Sequence, residues 1–196
     1  MPKKTILTLF IVCLCGLAKA QTPDQVYDQY IVFNETRAGN NAPATIKKGE
    51  LILPNVDKLP QKTKIVFYNG LAKAYEDNNQ FDKATPYYEV VAAAVPDYYV
   101  VHRALGYIYL IPAKAINEKM LTEKDKAGMA RLMEQYKVAV LKALPHLEKA
   151  QACDPSDETL SLIKLLYRNI NDTVALQTLN TRLAGLSKNC LDLLRE

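Results

Sequence analysis

The 196-residue chain has no tryptophan, only two histidines and only seven glycines. No Gly-rich phosphate loop, nucleophile elbow or HExxH helix occurs anywhere in it. His102 and His146 each lack a metal-ligand neighbour at i+4 and a nearby cysteine, so the local spacing suggests no catalytic residue, metal site or cofactor. Sustained two-residue alternation with β-branched enrichment is also missing, which argues against a sheet and for an all-α chain.

Net charge is scarce once the N-terminus is set aside. Lys3 and Lys4 precede an apolar run from Thr5 to Leu17, and Ala18-Lys19-Ala20 supplies small residues for a peptidase. Residues 1–20 therefore read as a signal peptide cut before Gln21, too short to span a bilayer, and the mature chain as exported, periplasmic or secreted. Cys13 follows Val12 and Cys15 follows Leu14, which disfavours a lipid anchor. Lys3, Lys4 and Lys19 leave with this segment, so the chain falls from 25 basic and 21 acidic residues to 22 against 21. A nearly neutral domain has no electrostatic case for nucleic acid or anionic membranes. Of four cysteines, Cys153 and Cys190 remain. They read equally well as a disulfide or as two buried thiols.

What is abundant is repetition. Leu71, Ala72 and Tyr75 recur 34 residues on as Leu105, Gly106 and Tyr109. Ala84, Pro86, Tyr88 and Pro96 recur 59 residues on as Ala143, Pro145, Leu147 and Pro155. The difference places a 25-residue insert, around 114–136, between the halves of the second copy. A period of 34 is that of stacked helical hairpins, which bury their apolar faces only against neighbours.

Helical spacing predicts segments over 24–36, 43–53 and 64–77, with a linker at 56–62. Asp82 opens the next helix, which ends near Pro96, and Asp97 starts another that halts around Pro112. Thr122-Glu123-Lys124-Asp125 has capping-box spacing ahead of a long helix reaching Ala152. Two more cover about 158–170 and 172 to the C-terminus. Pro86 falls in an opening turn, whereas Pro145 sits inside a helix and should kink it near Leu141. The insert most simply lengthens two paired helices into a projecting hairpin, either a longer scaffold or a partner-specific prong.

Tyr68, Leu71, Ala72, Tyr75, Ala84, Tyr88 and Pro96 resemble a tetratricopeptide repeat of the exported bacterial type. A second copy matches at Leu105, Gly106, Tyr109, Ala143, Leu147, Ala150 and Pro155, with His102 in place of an aromatic. A weaker third has Leu160, Ile163, Tyr167, Ala175 and Leu179. The resemblance implies a right-handed solenoid of about three hairpins over 64–196, capped by a degenerate hairpin and linker at 21–63. It also implies that the first helix of each pair lines a concave groove, facing Asn69, Lys73, Arg103 and Tyr107 into it. A protein or peptide partner would bind there, with Arg103 and Lys73 suited to a carboxylate and Tyr107 to stacking. Convex-face assembly in an envelope complex is one alternative. Glycan handling by surface tyrosines, with Tyr98 and Tyr99 as candidates beside Tyr87, is another.

Overall fold

The computed structural model describes residues 21–195 as eight α-helices with no β-strand among them. The export segment read at residues 1–20 lies outside the described residues. The helices are α1 (Pro23–Ala38), α2 (Ala42–Ile52), α3 (Gln61–Asp77), α4 (Phe81–Ala94), α5 (Tyr99–Met120), α6 (Lys126–Cys153), α7 (Asp157–Asn169) and α8 (Thr173–Leu186). Each packs on its neighbour in the chain, α1 also touches α3, and α6 also touches α8. The stretch read as a linker begins as a 3₁₀ helix, Leu53–Lys58.

Asparagine makes three of the turns. Asn40, Asn79 and Asn171 have φ of 52°, 56° and 57° and follow α1, α3 and α7. Outside glycine, Asn adopts this left-handed conformation most readily. After α3 and α7 the next amide closes the helix end, Gln80 N donating to Tyr75 O (2.8 Å) and Asp172 N to Tyr167 O (2.9 Å). Side-chain caps open α2, α7 and α8: Asn41 Oδ1 accepts from Ala44 N, Ser156 Oγ from Thr159 N and Asp172 Oδ1 from Ala175 N. The α5–α6 connection is the short stretch 121–125.

The repeated positions form the core. Leu71, Ala72, Leu105, Ala84, Ala143, Leu147 and Ile163 are fully buried. Gly106 allows a close approach, since a Cβ there would meet Leu147 Cδ2 at 2.7 Å and Leu147 N at 3.2 Å. The α1 stripe is narrower than its composition suggests. Val26, Tyr30 and Phe33 are buried, while Tyr27 and Ile31 face water.

Several boundaries depart from the sequence reading. Pro112 does not halt α5, which continues to Met120. Pro86 is the sixth residue of α4 rather than part of an opening turn, whereas Pro145 lies inside α6 as its spacing predicts. Pro86 and Pro145 free the carbonyls of Asp82 and Leu141, both exposed residues that water can reach, whereas Pro112 frees that of Ile108, which is buried. Thr122 does not cap α6. Asp125 does, accepting from Gly128 N at 2.7 Å, while Glu123 accepts from the amides of Lys124 and Asp125. Helices α5 and α6 run to 22 and 28 residues, against 17 and 14 for α3 and α4. Buried side chains of α5 stop at Ala113, and those of α6, Gly128 aside, begin at Tyr136. Helix α8 stops at Leu186, and the remaining residues double back to the start of α5 instead of extending the helix.

Candidate functional site

Four side chains singled out in the sequence line one open concavity of about 400 Å³: Asn69 and Lys73 from α3, Arg103 and Tyr107 from α5. Glu76, Tyr88 and Tyr98 complete its polar and aromatic wall. The spacing follows from helix geometry. Asn69 and Lys73 are four residues apart, as are Arg103 and Tyr107, so each pair shares a helix face.

None of the four is idle. Lys73 is ion-paired with Asp77 and lies 3.8 Å from Glu76. Arg103 pairs with Asp154 and stands over the Tyr99 ring, 5.5 Å from its centroid. Tyr107 shares a hydrogen bond with Thr159 of α7 (Oη···Oγ1, 3.1 Å) while remaining exposed. Asn69 Nδ2 donates to Tyr98 Oη at 3.4 Å. Both cations sit on partly exposed pairs that contribute little to stability, so exchange for a ligand carboxylate costs little.

Tyr98 is not the surface ring its position suggested. It is only 6% exposed, because the C-terminal segment crosses it in a single backbone bridge to Leu191. Burial raises its hydroxyl above the ordinary tyrosine range, opposed by Asn69 and by the charge of Arg37. Tyr99 is half-buried beneath Arg103, and Tyr87 is stacked between Tyr68 and Tyr75. No free tyrosine pair results.

A second, more polar concavity of about 910 Å³ adjoins the first at Lys73, which lines both. Asn34, Arg37, Asn40, Asn41 and Asp77 line it. Arg37 was not picked out in the sequence, because a basic residue in a last helical turn reads as an ordinary C-terminal charge. Gly70 was the available signal. A Cβ there would lie 3.1 Å from Arg37 Cδ and 3.2 Å from Phe33 Cε1, so glycine lets Arg37 lie across α3. Arg37, Lys73 and Arg103 thus come from α1, α3 and α5 in turn.

Cys153 and Cys190 form a disulfide with Cα atoms 5.5 Å apart. Next to it Lys149, only 7% exposed, donates to Asp97 Oδ1 (3.0 Å), Leu186 O (3.3 Å) and Asn189 O. Leu191 N donates to Asp97 O (2.7 Å), and Leu191 O accepts from Tyr99 N (3.1 Å). These bonds fix the C-terminal segment behind Tyr98.

No helix among the described residues is long and apolar enough to cross a membrane. No protein-family model, curated protein or solved structure matches the chain.

Proposed function

We propose that this chain is an exported, non-enzymatic interaction module, a tetratricopeptide-repeat-like adaptor or assembly factor. In this reading it holds a peptide or helix of a partner protein along the face shared by α1, α3 and α5. The observation that carries this reading is the convergence of Asn69, Lys73, Arg103 and Tyr107 on one open concavity. An amide, two exchangeable cations and an exposed ring suit a peptide backbone with a carboxylate. Neighbour-to-neighbour helix packing and the repeated Asn turns support the solenoid part of the proposal. The apolar run of Thr5–Leu17 and the Cys153–Cys190 bridge support export to an oxidising compartment.

Photo-crosslinking in the native host tests it. A photoreactive residue replacing Tyr107 should capture a discrete partner, and the band should vanish with Lys73→Ala plus Arg103→Ala. The same residue replacing Leu121, at the tip of the insert, should capture nothing specific. Capture from Leu121 alone would move the binding surface to the insert and overturn the groove reading. The glycan alternative is weakened by the burial of Tyr98.

A further inference from the structure

The chain's two histidines, 44 positions apart, meet at the α5–α6 interface. Their Nδ1 atoms are 3.0 Å apart, with ring centroids at 4.9 Å and planes inclined by 33°. Each histidine looks isolated when compared only with residues on its own helix. Helix packing supplies the partner.

We propose that His102 Nδ1 and His146 Nδ1 form a two-nitrogen chelate for a late first-row divalent metal ion of the copper(II) or nickel(II) class. With metal–nitrogen bonds of about 2.05 Å, nitrogens at this separation subtend about 94° at a shared ion, whereas a tetrahedral centre needs them about 3.3 Å apart. An angle near 90° belongs to square-planar or tetragonal nitrogen–oxygen sites, which favour copper(II) and nickel(II).

The surroundings are compatible with a cation. Coordination needs neutral imidazoles, and the two Nδ1 atoms already face each other at 3.0 Å. Lys142 and Lys149 of α6 carry the nearby positive charges. Glu89 of α4 pairs with Lys142 and also accepts from Tyr109, whose ring meets His146 edge-on at 5.4 Å. Asp97, ahead of α5, pairs with Lys149. Each lysine is therefore matched by a carboxylate.

One Nδ1 carries the proton of the present hydrogen bond. On metal binding that ring takes the other tautomer, with the proton on Nε2, and no net proton is lost. His102 Nε2 is buried without a hydrogen-bond partner. Among the described residues no cluster of three or more His, Cys, Asp or Glu side chains could hold a metal, so water or an incoming ligand completes the shell.

The test uses the untagged, demetallated protein near neutral pH, titrated with copper(II) chloride by calorimetry and electron paramagnetic resonance. One copper per chain should bind, with hyperfine structure from two ring nitrogens, more tightly than nickel or zinc, and magnesium should not bind. His102→Gln and His146→Gln should each weaken binding about tenfold or more while the helical melting curve persists. Should either variant unfold, copper-induced paramagnetic broadening in the unmodified protein supplies the second measurement, and it should strike the two imidazole resonances first. Absence of saturable binding below about 100 μM copper would overturn the proposal. So would undiminished binding in both folded variants, or broadening centred on other residues.

Discussion

At Gly106 a missing side chain sets how close two helices come. The Cβ of Gly106→Ala would press on Leu147 at its backbone nitrogen as well as its side chain, so rotamer adjustment alone cannot relieve it. Destabilisation of about 1–3 kcal/mol is expected in urea unfolding. Gly185→Ala is the contrast, because nothing lies within 4 Å of its Cβ, and helix propensity alone should make it neutral or stabilising by up to about 1 kcal/mol. The repeat made Gly106 legible, since it replaces Ala72 at the equivalent position. The pairing of His102 with His146 was not legible, because it depends on the register between α5 and α6, which a repeat interrupted by an insert leaves undefined. Its consequence for stability has a definite sign. Both rings bind protons less readily folded than unfolded, so stability is full above the ordinary histidine pKa of about 6.5 and falls as pH drops toward about 4. The loss is at most about 1.4 kcal/mol per pH unit for each extra proton bound on unfolding. Urea midpoints measured from pH 7 to 5 should decline, and His146→Gln should flatten that slope. An unchanged slope would mean that the imidazoles are not protected in the fold.

Elements were easier to find than to terminate. Apolar periodicity located the start of each of the eight helices to within a few residues, yet α5 runs on past Pro112 to Met120 and α8 stops at Leu186, short of the C-terminus. A helix can continue through a proline where the carbonyl four residues earlier finds another partner, as water can serve exposed Asp82 ahead of Pro86; the continuation through Pro112, ahead of which stands buried Ile108, has no such explanation. Counting repeats also drew the insert slightly too wide. Tyr136, inside the expected 114–136 span, is buried and accepts from Asn169 Nδ2 at 3.0 Å, so it belongs to the core. Replacing residues 115–134 with a short Asn-Gly turn should therefore preserve the circular-dichroism melt to within a few degrees. Extending that replacement through Tyr136 should destabilise by about 3–5 kcal/mol, as expected for losing a buried aromatic. Equal melting points for the two deletions would show that Tyr136 contributes nothing to the packed helices.

For the whole molecule, the least legible feature is the return of residues 187–195 to the start of α5. Continued helix was the natural expectation there, and no periodic pattern in the sequence announces a strap. Three kinds of bond hold it: the Cys153–Cys190 disulfide, the Lys149 ammonium on two carbonyls, and the backbone exchange between Leu191 and the Asp97–Tyr99 segment. Together they tie the last helix to the α4–α5 junction and cover Tyr98. The disulfide spans 37 residues of sequence, for which loop entropy sets an upper stabilisation of about 4 kcal/mol. Reduction is therefore expected to lower stability by about 2–4 kcal/mol in urea unfolding. It should also act locally before it acts globally, because the strap lies outside the main helical core and carries few buried side chains. Limited proteolysis of the reduced protein should first cleave within 187–195, while α1–α7 remain protected. Cleavage beginning in α7 or α8 would mean that the disulfide supports the last helices rather than the strap, and identical digestion with and without reductant would remove any structural role for the bridge.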